Sequence, residues 1–365
     1  MKLAIVAGEA SGDLHAAHVV RELRKLEPAL TTFGIGGDML ARERMELLHH
    51  ASELGMVGLF NVLRHLPMFM GIMRDLMARI ERERPDAVLL VDYPGFNMRV
   101  AKRCRQLGIR VIYYISPQIW AWRQGRVRQI AETVDHMIVL FPFEADFYRE
   151  HGVPVTYVGH PIVEQKAGVR RAARKDALRI ALLPGSRRQE VEGLLPPMID
   201  AVNVLRRDRE INAYIIQAPT IEHEMLEAIL KRHHSDLPIL PHDRGEAIAA
   251  ADVALSSSGT ATLECAVLGT PVIVMYRLTR LTYLLAQRLV KVPYFSLVNI
   301  VAEKEVVPEL IQHDVNGERI AAEVKRITEP ATYERITTEL AAVRERLGEE
   351  GASRRAAEAI MSVVQ

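Results

Sequence analysis

Short apolar runs alternate along the chain with longer amphipathic segments, the pattern of β–α units on a parallel sheet. The predicted strands cover residues 2–7, 87–91, 110–115, 136–140, 155–158, 178–183, 213–217, 253–255 and 271–275, and a helix is predicted at about 14–26. Several of these runs are rich in Val and Ile and nearly uninterrupted, as in strands that are covered on both faces. We therefore predict an α/β protein built from two doubly wound, Rossmann-like halves.

A change in composition separates the two halves. Residues 166–175 (KAGVRRAARK) are basic, small and without apolar periodicity, which indicates a linker or a solvated helix end. We predict a first domain of residues 1–165, completed by a C-terminal helix at about 341–365, and a second domain of residues 176–340. Ligands of such sheets bind beyond the carboxyl ends of the strands, so we expect the site in a cleft between the halves.

Composition narrows the class of protein. A chain of 365 residues suits two domains, and a net charge of +1 provides no basic field for nucleic acid. Cys104 and Cys265 lie far apart without ligand-like spacing, so we expect reduced thiols. The apolar start is too short for a signal peptide and no run of 18 apolar residues exists, which predicts a cytoplasmic protein that does not span a membrane.

The second half carries two phosphate-binding patterns. In LPGSRRQE (183–190), Gly185 allows close backbone approach, the backbone N–H groups at Ser186 face an anion, and Arg187 adds a bidentate contact. The alternative is an ordinary turn with a surface arginine. In SSSGTATLE (256–264), Gly259 turns the chain and Thr260 offers its hydroxyl and amide to phosphate.

Glu264 lies one helical turn after Thr260, so both project from one face and the carboxylate can accept ribose hydroxyls. Its alternative role is to complement the helix dipole. The arrangement resembles the donor half of GT-B glycosyltransferases and of the related UDP-sugar 2-epimerases. A dinucleotide dehydrogenase is disfavoured because GEASG (8–12) lacks the GxGxxG spacing. Since no Asp-x-Asp occurs, we expect no metal, and helix N-termini and arginine must meet the leaving-group charge.

Acceptor and base are expected in the first half. The strand at 87–91 delivers Asp92 to a carboxyl edge, where burial would raise its proton affinity towards that of a general base; the alternative is a helix N-cap. We predict that the rings of Trp120 and Trp122 stack on a sugar and that Arg123 binds a phosphate group. The alternative is a buried tryptophan anchor next to a solvated arginine. The N-terminal loop lies at the same edge, and we predict that it lines the acceptor site with Glu9, Ser11, Asp13 and His15; the alternative for His15 is a capping neighbour at the helix start.

Residues 54–77 are unusually apolar and hold five of the 14 methionines, but Arg64, Arg74 and Asp75 prevent them from spanning a bilayer. Flexible apolar side chains with flanking cations suit interfacial insertion, whereas a pair of core helices is the alternative. The residues predicted to contact the membrane are Phe60, Leu63, Leu66, Met68, Phe69, Met70, Ile72 and Met73.

These motifs together resemble the lipid A disaccharide synthase family over nearly the whole chain. The resemblance is carried by GEASGD (8–13), VDYPGFN (91–97), SPQIWAWRQ (116–124), LFPFE (140–144), VGHP (158–161), LPGSR (183–187), SSGTATLE (257–264) and SLVNIVA (296–302). One departure is Tyr93-Pro94-Gly95, where members more often carry a small residue, Pro and Asp.

The resemblance implies an inverting transferase that moves 2,3-diacylglucosamine from UDP to 2,3-diacylglucosamine 1-phosphate (lipid X). It implies that Asp92 is the base and adds Asn299 and Gln312 to the donor-binding residues Arg187 and Glu264. It also implies a homodimer bound peripherally to the inner face of the inner membrane, with no cofactor. The two rival functions are a UDP-sugar 2-epimerase and a non-catalytic, membrane-bound nucleotide-sugar binding protein.

Overall fold

The computed structural model describes residues 1–55, 62–122, 124–172, 177–240, 244–278 and 293–365. It divides into two compact units, one of Met1–Pro161 with Gly348–Gln365 and the other of Ile162–Leu347. Each unit is an α/β structure around its own parallel sheet. The second unit is therefore an insertion between the body of the first unit and its last helix.

The sheet of the first unit has the strand order β3-β2-β1-β4-β5-β6-β7, and all its pairings are parallel. Its strands are β1 (Lys2–Ala7), β2 (Thr31–Gly36), β3 (Glu46–His50), β4 (Ala87–Val91), β5 (Arg110–Tyr114), β6 (His136–Val139) and β7 (Val155–Tyr157). The order reverses between β1 and β4, and ligands of doubly wound sheets bind at the carboxyl edge of such a switch point.

Helices cover both faces of this sheet. They are α1 (Ala10–Leu26), α2 (Asp38–Arg42), α3 (Ala51–Gly55), α4 (Val62–Glu83), α5 (Pro94–Gln106), α6 (Ile119–Trp122), α7 (Val127–Thr133) and α8 (Pro142–Glu150). The core lies between sheet and helices, where β4 is buried along its whole length, as its sequence AVLLV predicts.

The second unit has a parallel sheet with the order β10-β9-β8-β11-β12-β13. Its strands are β8 (Leu178–Leu183), β9 (Ile211–Ile216), β10 (Ile239–Leu240), β11 (Val253–Ser257), β12 (Val272–Tyr276) and β13 (Glu309–Ile311). The helices are α9 (Ile162–Gln165), α10 (Arg188–Leu205), α11 (His223–Arg232), α12 (Arg244–Ala250), α13 (Thr260–Val267), α14 (Leu297–Ala302), α15 (Gly317–Thr328) and α16 (Pro330–Arg346). The chain then returns to the first unit as α17 (Ala352–Val364), which packs on α1.

All nine predicted strands are present, and the prediction of two doubly wound halves is confirmed. Strands β2, β3, β10 and β13 were missed. The sequence of β2 (TTFGIG) has little side-chain signal because Gly34 allows close contact with β1: a Cβ on Gly34 would lie 2.0 Å from the Ile5 carbonyl oxygen. The C-terminal helical pattern is broken at Gly348 and Gly351, both of which have left-handed φ angles.

The basic segment predicted as a linker is attached to the second unit wherever the structure describes it. The Arg171 guanidinium donates to the Gly269 carbonyl oxygen and, over 3.1 Å, to the Thr270 hydroxyl, and it lies over the Tyr333 ring. Residues 173–176 lie outside the described residues. The linker prediction failed because an arginine that binds distant carbonyl groups leaves no periodic signal in its own segment.

Helix α4 contains most of the segment that was predicted to contact a membrane. Ile72 and Met73 are buried in the core of the first unit, so the membrane prediction for these two residues is wrong in this structure. Met68 and Phe69 are half-buried against the core, whereas Met70 is 63% exposed. Leu63 and Leu66 lie in the first turns of α4, and Phe60 lies outside the described residues. None of the helices formed by the described residues is long and apolar enough to cross a membrane.

Candidate active site

A strained turn places Asp92 at the carboxyl edge of the first sheet, directly after β4. Asp92 and Tyr93 have φ angles of 47° and 45°, which is the left-handed region. The Asp92 N–H donates to the Tyr114 carbonyl oxygen over 3.0 Å, and the Asp92 carbonyl oxygen accepts from Asn97 Nδ2 (2.7 Å) and the Tyr113 hydroxyl (2.6 Å). Backbone strain that buried side chains maintain in this way is typical of functional sites.

The Asp92 carboxyl group has the proton affinity of a general base near neutral pH. Burial raises its pKa to about 6, and the negative charge of Glu9 contributes further. The alternative role as a helix cap is wrong, because α5 begins at Pro94 and its N-cap residue is Tyr93. The sequence prediction of a partly buried carboxylate at this edge therefore has a structural basis.

The structure accommodates Tyr93, one of the residues at which the chain departs from the family pattern. Its ring packs where a side chain on Gly8 would lie, since a Cβ on Gly8 would be 2.6 Å from Tyr93 Cδ1. Its hydroxyl donates to the Leu54 carbonyl oxygen over 3.2 Å. The bulky residue at position 93 thus links the turn after β4 to the loop after β1.

The N-terminal loop divides into exposed and structural residues. Glu9 and Ser11 are exposed at the start of α1, with Glu9 close enough to influence Asp92. Asp13 does not line an open site: its carboxylate accepts from the backbone N–H groups at the start of α2, at 2.7 Å from Gly37, 2.9 Å from Met39 and 3.2 Å from Leu40. A capping carboxylate of this kind cannot be distinguished by sequence from a ligand-binding one.

Replacing Asp13 with Ala should lower the free energy of unfolding by about 2–3 kcal/mol, because three backbone donors would lose a charged acceptor. Urea denaturation followed by circular dichroism measures the change. Asp38→Ala is the matched control, since Asp38 lies in the first turn of α2, the helix that Asp13 caps, but is exposed. Equal stability of the two variants would contradict the capping role.

Two histidines are buried at this end of the unit. Burial lowers the pKa of His15 to about 4 and that of His160 to about 3. A smaller contribution in the same direction comes from His18 for His15 and from His15 for His160. Both imidazoles are therefore neutral at pH 7. His15 is thus an uncharged, mostly buried group and not a cation for an acceptor phosphate.

Trp120 is a buried anchor. Its ring meets Phe143 edge-on at 4.9 Å between centroids, and its Nε1 donates to Glu144 Oε1 over 3.3 Å. The structure therefore favours the anchor over an open sugar platform at this position. Trp122 lies at the end of α6, and Arg123 lies outside the described residues.

The second sheet presents its own carboxyl edge, where β8 leads into α10. Gly185 has a φ of 128°, and a Cβ there would lie 2.5 Å from Glu190 Oε2. The same carboxylate oxygen accepts the backbone N–H groups of Ser186 (3.1 Å) and Arg187 (3.3 Å). In this structure Glu190 therefore occupies backbone donors at the helix start that were predicted to face a diphosphate, and the diphosphate contact itself stays a prediction.

The Arg187 side chain remains at the protein surface. It is 82% exposed and lies 3.4 Å from Glu190, a pairing that water screens. Such a guanidinium can reorient towards an anion at little cost.

The turn from β11 into α13 ends in backbone N–H groups that are available to bind an anion. The Ser258 N–H donates to the Met275 carbonyl oxygen, and nothing lies near the position of a Cβ on Gly259. Within the described residues, the N–H groups of Thr260 and Ala261 at the helix start are not bonded to an acceptor. This helix start retains the donors that the turn after β8 has lost.

Glu264 lies on α13 one turn further along. Its Oε2 is 3.3 Å from Lys166 Nζ, and the two side chains are only 13% and 16% exposed. Apart from this ion pair, the buried oxygen Oε2 has no hydrogen-bond partner among the described residues. Sequence reasoning missed Lys166, which was assigned to the linker.

Asn299 and Gln312 have structural partners. Asn299 is fully buried; its Nδ2 donates to Val307 O (2.9 Å) and Glu309 Oε1 (2.8 Å), and its Oδ1 accepts from the Val306 and Val307 N–H groups. The Gln312 amide exchanges two hydrogen bonds with the backbone of Leu278, at 2.9 and 3.0 Å. Both amides shape the loops after β12 and before β13, and a role of the two residues in donor binding stays a prediction.

Solved structures that align with the whole chain include glycosyltransferases and UDP-N-acetylglucosamine 2-epimerases. The glycotransferase of kitacinnamycin aligns with a TM-score of 0.65 at 16% identity, over 100% of this chain and 99% of that one. MurG of Acinetobacter baumannii aligns with a TM-score of 0.60 at 14% identity, over 99% of each chain. A putative UDP-N-acetylglucosamine 2-epimerase from Listeria monocytogenes aligns with a TM-score of 0.65 at 15% identity, over 100% of this chain and 96% of that one. Two parallel-sheet units with these neighbours define the GT-B fold of the glycosyltransferases.

Sequence comparison identifies the family. The model of the lipid-A-disaccharide synthetase family matches residues 3–363. The lipid-A-disaccharide synthase of Myxococcus xanthus is 43% identical over 374 residues, which cover 100% of this chain and 97% of that protein. The corresponding protein of Nitrosococcus oceani is 40% identical over 373 residues, covering 100% and 96%. The chain belongs to the lipid-A-disaccharide synthase family and is a glycosyltransferase; the 2-epimerases share only its fold.

Proposed function

We propose that the enzyme transfers 2,3-diacylglucosamine from UDP-2,3-diacylglucosamine to lipid X, giving the β-1′,6-linked disaccharide 1-phosphate and UDP. The observation that carries this proposal is the Asp92 carboxyl group, which is half-buried at the switch point of the first sheet with a pKa of about 6. A single carboxylate suffices for such a reaction, because UDP leaves without being protonated.

In the proposed step, the 6-hydroxyl oxygen of lipid X attacks the anomeric carbon of the donor and forms the new C–O bond. The hydroxyl proton passes to Asp92. The bond between the anomeric carbon and the β-phosphate oxygen breaks, and its electron pair leaves with UDP. Attack from the side opposite the leaving group inverts the configuration at the anomeric carbon.

The donor is proposed to bind at the carboxyl edge of the second sheet. Thr260 offers its hydroxyl and its unbonded N–H to the diphosphate, and Arg187 approaches from the surface to balance the developing charge. Glu264 accepts the ribose hydroxyls while Lys166 holds it in place. This assignment uses the helix start after Gly259 rather than the one after Gly185.

We also propose that the enzyme works as a homodimer, peripherally bound to the cytoplasmic face of the inner membrane. The support for membrane contact is the exposed Met70 with the half-buried Met68 and Phe69 on α4, next to the cation Arg74, whereas the homodimer rests on the family resemblance alone. Apolar side chains flanked by cations suit contact with a lipid surface and with acyl chains.

The test is to mix the purified protein with UDP-2,3-diacylglucosamine and lipid X, with and without EDTA, and to follow disaccharide and UDP by mass spectrometry. We expect equal amounts of both products and no effect of EDTA. Incubation with the UDP-sugar alone distinguishes the alternative, because a 2-epimerase would produce an epimer without an acceptor. Binding of donor without any release of UDP would identify a non-catalytic binding protein instead.

Glu9→Gln should shift the acid limb of the pH profile to lower pH. Transfer requires ionised Asp92, so kcat/KM should fall as the pH drops through about 6. Removing the negative charge of Glu9 lowers the pKa of Asp92, and the limb should move down by a fraction of a pH unit, since burial is the larger cause. Glu22→Gln, on the same helix but paired with Lys25, is the control and should leave the profile unchanged. An unshifted limb in Glu9→Gln would contradict the coupling.

A further inference from the structure

The carboxyl group of Glu144, in the first turn of α8, connects two segments of the first unit, the start of its own helix and the segment after β5. It is buried, and its Oε1 accepts from the Ser116 hydroxyl (2.6 Å) and from Trp120 Nε1 (3.3 Å). Its Oε2 accepts from the Phe141 N–H over 3.2 Å. The second oxygen only caps the start of its own helix, but the first oxygen binds the segment that follows β5.

This arrangement is energetically costly for a core position. Burial raises the pKa of Glu144 to about 7, although its hydrogen bonds lower it in part. No cation among the described residues pairs with this buried acid, which is then less favourable than a well-packed apolar residue of similar size. Capping alone explains one of its two oxygens, so the contacts of Oε1 with Ser116 and Trp120 require another reason.

That reason lies in the strained turn between β5 and Ser116. Ile115 has a φ of 64°, a left-handed conformation that is a genuine outlier for a β-branched residue. Its N–H donates to the Ile138 carbonyl oxygen, which fixes one side of the turn, and Glu144 fixes the other side through Ser116. The hydrogen bond from Ser116 therefore helps to maintain an unfavourable backbone conformation.

The strained turn adjoins the proposed base. Tyr113 and Tyr114, the last residues of β5, bond the Asp92 carbonyl oxygen and N–H respectively. Ile115 and Ser116 follow at once, and they lead into α6 with Trp120. The end of β5 is thus held by the Asp92 turn on one side and by Glu144 on the other.

We propose that Glu144 is a positioning residue for the acceptor: through Ser116 and Trp120 it fixes the segment 116–122 beside the Asp92 turn. The inference rests on the proposed function, because an acceptor hydroxyl that reaches Asp92 must also lie close to the segment that adjoins the Asp92 turn. Glu144 does not touch substrate. It acts on acceptor binding and turnover and leaves donor binding unchanged, because the donor-binding residues belong to the other unit.

The experiment removes the same hydrogen bond from each end, with Glu144→Leu, which has no acceptor for the Ser116 hydroxyl, with Ser116→Ala and with the double variant. Steady-state kinetics with varied lipid X and varied UDP-2,3-diacylglucosamine gives the two KM values and kcat, calorimetry gives the Kd for UDP, and thermal denaturation gives Tm. We expect each single variant to raise the KM for lipid X about tenfold, as loss of ~1.4 kcal/mol requires. The KM for donor and the Kd for UDP should stay within about twofold. Because both changes remove one interaction, the double variant should be no worse than the worse single variant.

Three outcomes would overturn the proposal. The first is an unchanged KM for lipid X in both single variants. The second is an equal rise of both KM values together with a fall in Tm, which would mean a purely structural role. The third is additive effects in the double variant. Ser116→Ala removes one oxygen atom and should fold even if Glu144→Leu does not. Failure of the proposed function is distinguishable, because the wild-type enzyme would then make no disaccharide, while quenching of tryptophan fluorescence by lipid X would still report acceptor binding.

Discussion

Asp92→Asn should lower kcat by roughly 10³-fold while the Kd for UDP stays unchanged, because a general base contributes about 10²–10⁴-fold to the rate. Asn is nearly isosteric and adopts left-handed backbone conformations more readily than most residues, so the turn after β4 should persist. The backbone contacts of residue 92 with Asn97, Tyr113 and Tyr114 do not involve its side chain. The measurement is single-turnover transfer, with UDP affinity determined by calorimetry.

Asp86→Asn is the matched control for this variant. Asp86 lies just before the amino end of the same strand, where its carboxylate accepts from the Lys2 N–H over 2.7 Å. Its amide variant should therefore turn over at the wild-type rate. If Asp92→Asn also retained most of its turnover, Asp92 would not be the base, whatever family the chain belongs to.

Arg187→Met should lower kcat by about 10²-fold, because removal of one group that stabilises transition-state charge typically costs 10²–10³-fold. The kcat of Arg187→Lys should lie between those of the wild type and Arg187→Met, since an ammonium group keeps the charge but cannot bind phosphate in a bidentate manner. The side chain is largely exposed, so neither change should alter Tm. The measurement is kcat at saturating donor, with Tm by thermal denaturation.

Arg188→Met separates a specific role from a general effect of surface charge. Arg188 is the next residue, is also exposed, and pairs with Glu192 at 3.3 Å. Its loss changes the net charge by the same amount, yet we expect kcat within about twofold of the wild type, as for exposed ion pairs of little energetic consequence. Equal losses in the two variants would indicate a diffuse electrostatic effect and would remove Arg187 from the mechanism.

The fold was predictable because buried parallel strands have a strong local signal. Runs such as AVLLV (87–91) and LRIALL (178–183) are apolar along their whole length, and their strands match the prediction at both ends. Strand β2 escaped prediction because its close contact with β1 requires Gly34, and glycine has no side chain to produce a periodic pattern. Two-residue and three-residue strands such as β10 and β13 are too short for periodicity to appear.

The candidate site was predictable only in part, because long-range hydrogen bonds decide which polar groups remain for a ligand. The position of Asp92 follows from the end of a strand, which is a local property. Gln312, in contrast, bonds Leu278, which lies 34 residues away, and no local pattern reports this contact. Glu190 is different: it occupies the third helical position after Arg187, so the capping-box spacing in the sequence already indicated that those amides would be occupied.

The return of α17 to the first unit has a consequence for biosynthesis. Residues 352–364 pack on α1, and the Arg110 guanidinium donates to the Val363 and Val364 carbonyl oxygens over 2.8 and 2.6 Å. During translation the whole of the inserted unit emerges from the ribosome before this helix does. The first unit is therefore the later of the two to be completed during translation. Until α17 has been synthesised, the face of α1 on which it packs stays uncovered.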